Sequence, residues 1–169
     1  MRIVVMGPSG CGKSTVGRAL AARIGARFLD ADDLHPLTNV EKMAAGIPLD
    51  DGDRVPWLAV VGAALRDDAR IVVACSALKR AYRDAIRDEA PDAFFAELRV
   101  ERAELEQRML TRTDHFMPAA LLDSQLQALE PLDPQERGVR VPPAGVDATV
   151  EAIRAALDEG ARSGGQSLR

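Results

Sequence analysis

Gly7-Pro8-Ser9-Gly10-Cys11-Gly12-Lys13-Ser14-Thr15 decides how the rest of this chain is read. The stretch satisfies G-x-x-x-x-G-K-[ST] with Gly7, Gly12, Lys13 and Ser14 in register. Before it, Arg2-Ile3-Val4-Val5-Met6 is the short apolar, β-branched run that a buried parallel strand requires. After it, Val16, Leu20 and Ile24 recur at helical spacing, so a helix opens at the loop. Strand, glycine-rich turn and helix N-terminus together aim backbone N–H groups at one point, which suits a phosphate chain. The motif assigns Gly10, Cys11, Gly12, Lys13, Ser14 and Thr15 to nucleotide binding. Within it Lys13 reaches the β/γ-phosphates and the Ser14 hydroxyl ligates Mg²⁺. A chance lysine in an ordinary turn would explain the loop but not its two flanks.

The chain around this loop has 169 residues, which suits one domain with a full hydrophobic core. Its 47% hydrophobic and 28% charged residues are ordinary for a globular protein. No apolar run approaches the roughly 20 residues that cross a bilayer. A net charge of −4 implies no basic face, which argues against nucleic acid as a partner. The N-terminus enters a strand without a signal-peptide layout. Cys11 and Cys75 fit neither a disulfide framework nor a zinc spacing, so they read as free thiols in a reducing cytoplasm. Cys11 lies where a helix dipole favours a thiolate, but a small tolerated loop residue is the simpler reading.

Apolar runs alternate with helical patterns along the whole chain. Strands are predicted at Arg2–Met6, Arg27–Leu29, Arg70–Cys75, Ala93–Val100 and Gly138–Val141. Helices are predicted at Ser14–Ile24, Thr38–Ala45, Pro56–Asp67, Lys79–Asp88, Arg102–Leu110, Pro118–Leu129 and Val146–Glu159. In the last of these, Val146, Val150, Ile153 and Leu157 make one buried stripe. Thr38-Asn39-Val40-Glu41 reads as a capping box, and Pro56 and Pro118 suit first helical turns. The alternation predicts a mostly five-stranded parallel sheet covered on both faces, in one domain over residues 1–159. Residues 160–169, Gly/Ser-rich and aperiodic, read as a disordered tail.

Two polar insertions break this rhythm, and in an α/β protein ligands are handled beyond strand ends. The first runs from Asp30 to Arg54. Asp30 and Asp32 follow the second strand and stand at the same sheet edge as the phosphate loop, where an aspartate suits hydroxyl activation. Taken alone, the acidic turn would be a solvated cap; beside a phosphate loop the functional reading leads. Arg54 could bind a carboxylate or polyol, whereas Asp50, Asp51 and Asp53 read as turn residues. Ser76, Lys79 and Arg83 fall at helical spacing after the third strand, an anion-friendly face for a carboxylate substrate. The second insertion, Arg108 to Pro118, puts Arg108 and Arg112 four residues apart, a pair suited to charge on a transferring phosphoryl group. Nothing near His115 in sequence would activate it as a base, so it orients substrate or lid.

These motifs resemble one known family. GPSGCGKST, FLDADDLHP, NVEKMAAGIPLDDGDRVPWL, CSALKRAYRD and HFMPAALLDSQ, in this order and spacing, resemble the small P-loop gluconokinases, kin in fold to shikimate and nucleoside monophosphate kinases. The resemblance runs from about Arg2 to Leu132. It implies a three-layer α/β/α sandwich with a helical substrate-binding insertion near residues 33–68 and a lid near 108–118. It implies ATP and Mg²⁺ as cofactors and phosphorylation of D-gluconate to 6-phospho-D-gluconate, feeding the pentose phosphate or Entner–Doudoroff route. It implies roles as well: Asp32 as the base, Asp30 behind Mg²⁺, and Lys13 and Arg112 as catalytic. His35, Arg54, Ser76, Lys79, Arg83, His115 and Gln125 hold substrate, and Arg108 and Arg112 contact nucleotide from the lid. A cytoplasmic enzyme, in some relatives a homodimer, completes that picture. Asp114 stands where glycine is frequent, Leu126 where an aromatic residue is, and Arg137–Gly145 matches the family's final strand poorly.

Two other readings compete. A kinase for another small hydroxy acid such as shikimate would keep the loop but carry a glycine-rich substrate loop after the third strand, absent here. A non-catalytic nucleotide-binding regulator would need neither the polar insertions nor the paired arginines.

Overall fold

The computed structural model describes residues 1–110 and 119–164. Five strands, β1 (Arg2–Met6), β2 (Arg27–Asp30), β3 (Ile71–Cys75), β4 (Phe94–Leu98) and β5 (Gly138–Val141), form one parallel sheet. Their order is β2-β3-β1-β4-β5, so the chain leaves β1 to one side and returns to the other. The crevice at that reversal lies where the phosphate loop leaves β1. Val4 pairs with Val73 on one flank and Phe95 on the other, which centres β1 in the core.

Side chains alternate along each strand, and the two faces carry separate cores. Val4 and Met6 pack with Trp57, Leu58, Val61 and Leu65 of α3 (Asp51–Asp67) and Tyr82 and Ile86 of α4 (Arg80–Glu89). Ile3 and Val5 pack on the opposite face, against α1 (Lys13–Ile24), α5 (Arg102–Leu110), α6 (Ala119–Ala128) and α7 (Val146–Gly164). That is the expected three-layer α/β/α sandwich. Burying each large aliphatic side chain contributes about 1.5–3 kcal/mol, and Ile3 through Met6 are wholly buried. Among the described residues no helix is long and apolar enough to cross a membrane.

Several helix ends differ from expectation. The predicted capping box at Thr38 does not form: α2 (Leu37–Ala44) starts after Pro36, and Thr38 is already its second residue. Helix α3 begins at Asp51 rather than Pro56. Asp50 accepts from the Asp53 N–H while the Asp53 carboxylate accepts from the Asp50 N–H, so the capping box sits there. Pro56 lies inside the helix, where it forgoes only the bond to the Gly52 carbonyl. Helix α7 continues to Gly164, so residues 160–164 are helical rather than tail, and Val146 is exposed while Val150 and Ile153 are buried. Residues 165–169 and Pro118 lie outside the described residues.

The predicted insertion divides in two. Helix α3 belongs to a core layer, whereas α2 buries only Asn39 and turns Leu37, Val40 and Met43 outward. Polar contacts hold α2: Lys42 Nζ donates to Asp53 Oδ1 at 2.6 Å, and Asn39 Nδ2 to the Asp53 carbonyl at 3.0 Å.

Candidate functional site

The loop between β1 and α1 is shaped by its backbone. Gly7 has φ 147°, and a Cβ there would lie 2.8 Å from Cys11 Sγ and 3.1 Å from the Leu98 carbonyl oxygen. Gly12, the N-cap of α1, has φ 97°, which an L side chain would strain. Lys13 Nζ donates to the Pro8 carbonyl at 3.0 Å, folding the ammonium back over the loop. Ser14 Oγ donates to Asp30 Oδ2 at 2.6 Å, and Asp30 Oδ1 accepts from the Asp32 N–H at 3.2 Å. Asp30 thereby ties the loop to the 3₁₀ turn Ala31–Leu34. A hydroxyl backed by a carboxylate is a hard oxygen set, the chemistry Mg²⁺ selects.

Two further contacts brace the loop. Arg108 Nη1 approaches the carbonyls of Gly10 and Cys11 at 3.4 and 3.3 Å. Gln125 Oε1 accepts from the Ser9 N–H at 2.7 Å, so α6 is bonded to the phosphate loop as well as lining the cavity described next. The thiols are not exposed nucleophiles: Cys11 is buried, and burial pushes the Cys75 thiol up to about 12. Arg112 and His115 lie outside the described residues.

On the β3 side of the loop a cavity of about 730 Å³ is lined by Leu49, Asp51, Arg54, Lys79, Tyr82 and Gln125, among others. Arg54, Lys79 and Gln125 were expected to meet substrate, and here they share one wall. Asp51, read from sequence as a turn residue, accepts from Lys79 Nζ at 2.9 Å and from the Tyr82 hydroxyl. The Tyr82 hydroxyl, and then Lys79, hold its carboxyl below the usual carboxylate range. The same pairing raises the Lys79 ammonium. The Arg54 guanidinium and Lys79 ammonium lie 5.7 and 5.2 Å from the Tyr82 ring centroid, so two cations share one aromatic platform. Such a wall fits an anionic, hydroxylated ligand.

Asp32 and His35 form a neighbouring cluster. His35 stacks on Trp57 with centroids 4.0 Å apart, and Trp57 Nε1 donates to the Ala31 carbonyl at 2.8 Å, so α3 anchors the turn. His35 Nε2 lies 4.0 Å from Asp32 Oδ1, and the Asp32 side chain is 80% exposed while that of His35 is buried. Ser76, just beyond β3, is half-buried and does not line the cavity.

Arg83 departs from expectation. It does not line the cavity: its side chain is 1% exposed and its donors are spent inside the protein. Nε and Nη2 make a bidentate pair with Glu136 at 2.8 and 2.6 Å. Nη1 reaches the carbonyls of Ala77, Leu78 and Glu130 at 3.4, 3.2 and 3.0 Å. Burial alone would raise the Glu136 carboxyl, but bonds from Arg83, the Asp133 N–H and Arg87 outweigh it and hold it at about 2. Ala77 has φ 36°, an uncommon strained value for a residue with a Cβ, and Arg83 clasps that corner from below. Arg83 is therefore a support for the corner that presents Lys79.

On the other side of the loop, a second cavity of about 250 Å³ is lined by Gly12, Thr15, Leu98, Arg99, Val141 and Pro142, among others. Its walls are mainly apolar, the character that a flat nucleobase needs. Part of its lining, Val141 to Ala144, falls in the Arg137–Gly145 segment that matches the family's final strand poorly in sequence.

Comparison with known proteins agrees with this geometry. A family model described as an AAA domain matches residues 3–132. The gluconokinase of Gluconobacter oxydans is 46% identical over 143 residues, covering 82% of this chain and 80% of that one. The thermosensitive gluconokinase of Escherichia coli is 44% identical, covering 75% of this chain and 70% of its own. The crystal structure of a gluconokinase from Sinorhizobium meliloti superposes with a TM-score of 0.89 at 44% identity, covering 98% of this chain and 97% of that one. Similarity at this level over most of each chain leaves one conclusion: this chain belongs to the gluconokinase family.

Proposed function

We propose that the protein transfers the γ-phosphoryl group of ATP to the terminal hydroxyl of D-gluconate, giving 6-phospho-D-gluconate and ADP in the cytoplasm. The observation that carries this reading is the cavity walled by Arg54, Lys79 and Tyr82, which Gln125, bonded to the Ser9 N–H, joins to the phosphate loop. In this reading the gluconate carboxylate lies toward Arg54 and Lys79, and its hydroxyls replace solvent along Asp51 and Gln125. Asp32 accepts the proton of the terminal hydroxyl as its oxygen bonds to the γ-phosphorus and the bond to the bridging oxygen of ADP breaks. Lys13, with Arg108 and Arg112, meets the charge of the transferring group. Ser14 would hold Mg²⁺, with Asp30 behind it, and the ion would neutralise phosphate charge. The apolar slot beyond Thr15 takes the base.

Asp32→Asn tests the chemistry. The amide keeps size but accepts no proton, so kcat should fall by about 10²–10⁴. Nucleotide affinity should stay, because the phosphates are held by a different element. Retention of most of kcat would remove Asp32 as the base. An ADP-release assay across aldonic acids and shikimate tests the substrate, and preference for an acid other than gluconate would replace it.

A further inference from the structure

Asn39 is the one buried residue of α2, and its amide has only one orientation that satisfies its neighbours. The atom facing the Asp53 carbonyl at 3.0 Å must be Nδ2, since a carbonyl oxygen only accepts. The same Nδ2 lies 3.3 Å from His35 Nδ1. An amide nitrogen donates and does not accept, so His35 Nδ1 is the acceptor and the ring proton belongs on Nε2. Nε2 is the nitrogen on the Asp32 side, 4.0 Å from Oδ1.

We infer that Asn39 is a positioning residue that fixes His35 as the neutral Nε2–H tautomer, so that the ring presents a donor, not a lone pair, to the side where Asp32 works. The inference rests on the proposed role of Asp32. A lone pair at that place would repel the carboxylate; an N–H attracts it and orients it. The arrangement also removes His35 as a rival base, because its basic nitrogen is turned inward and occupied. Burial holds His35 below the usual imidazole range, Asp32 opposes that shift, and Arg54 reinforces it. The stack on Trp57 prevents the ring from tilting away from this plane. From sequence alone Asn39 looked like part of a helix cap, and its inward turn is visible only once α2 is seen to bury nothing else.

The test is direct because the chain has two histidines, His35 and His115. In protein carrying ¹⁵N-histidine, long-range ¹H–¹⁵N spectra near neutral pH should show His35 with a protonated Nε2 and an unprotonated Nδ1. A His115→Gln sample assigns the signals. A protonated Nδ1, or averaging between tautomers, overturns the inference whatever the activity. In Asn39→Asp the new carboxylate should draw the proton to Nδ1 and drop kcat about 10–100-fold, with gluconate KM little changed. A rise in KM alone, with the tautomer unaltered, would make Asn39 a structural residue only. If Asn39→Asp does not fold, the wild-type spectrum decides. Failure on gluconate with His35 as Nε2–H would sink the substrate reading and leave this one standing.

Discussion

At the phosphate loop, the walls are strands whose residues from Ile3 to Met6 and from Ile71 to Cys75 are buried, and backbone angles at glycine set the shape. At the larger cavity, the walls are joined by side chains, Lys79 and Tyr82 with Asp51, and the neighbouring α2, with a single buried residue, is held by Lys42 and Asn39 to Asp53. Solvent-exposed ion pairs such as Lys42–Asp53 and Lys79–Asp51 are screened and add little to stability. The nucleotide end is therefore preformed, while the acceptor end is held by contacts weak enough to break and remake. That difference suits a kinase, which needs a rigid cradle for the phosphates during transfer and an acceptor side that can close over its substrate.

The sharpest way to break the comparison is Arg83→Ala, because Arg83 is the buried exception beneath the weak end. Leaving Glu136 buried with only Arg87 and the Asp133 N–H should cost up to about 3–5 kcal/mol of stability, measured by urea unfolding. Unchanged stability with a raised gluconate KM would return Arg83 to the substrate. Next in size is Lys13→Ala, which should lose roughly 3 kcal/mol of transition-state stabilisation with an unchanged unfolding midpoint. Near-normal turnover of that folded variant would end the account of the loop. The smallest effect is expected for Asp50→Ala, which removes the cap of α3. A loss of about 1 kcal/mol should appear as faster amide exchange in the first turn of α3, with the amides of α1 unmoved. Acceleration in both places would mean that the two ends are not separate units.

The legible parts of this molecule were those whose physics is local. The loop declares itself because phosphate binding needs glycine, lysine and serine within a few residues, and the apolar runs around it fix the strands. The placement of Arg83 shows where locality fails. Ser76, Lys79 and Arg83 have helical spacing, but α4 starts only at Arg80 and Ala77 takes a positive φ, so the three do not share a face. The partner that claims Arg83 is Glu136, 53 residues away, which no spacing rule reaches. Asp51 and Asp53 were read as turn residues for the same reason. The partners of Asp51, Lys79 and Tyr82, lie 28 and 31 residues on, whereas Asp53 pairs with Lys42 from the preceding helix and with Asp50 in the local cap. Thr38 lost its capping role to a proline two residues earlier, a competition decided by backbone angles rather than composition.

The strand order also constrains how the chain is made. β1 pairs only with β3 and β4, and β2 only with β3, so no native strand pair exists within the first 70 residues. On a ribosome, which releases the chain N-terminus first, the phosphate loop and its glycines emerge long before the strand that steadies them. Until Cys75 is clear of the exit tunnel, β1 is an unpaired apolar segment that nascent-chain chaperones can bind. Once β3 arrives it zips against both earlier strands at once, so the nucleotide end should assemble in a single cooperative step rather than strand by strand.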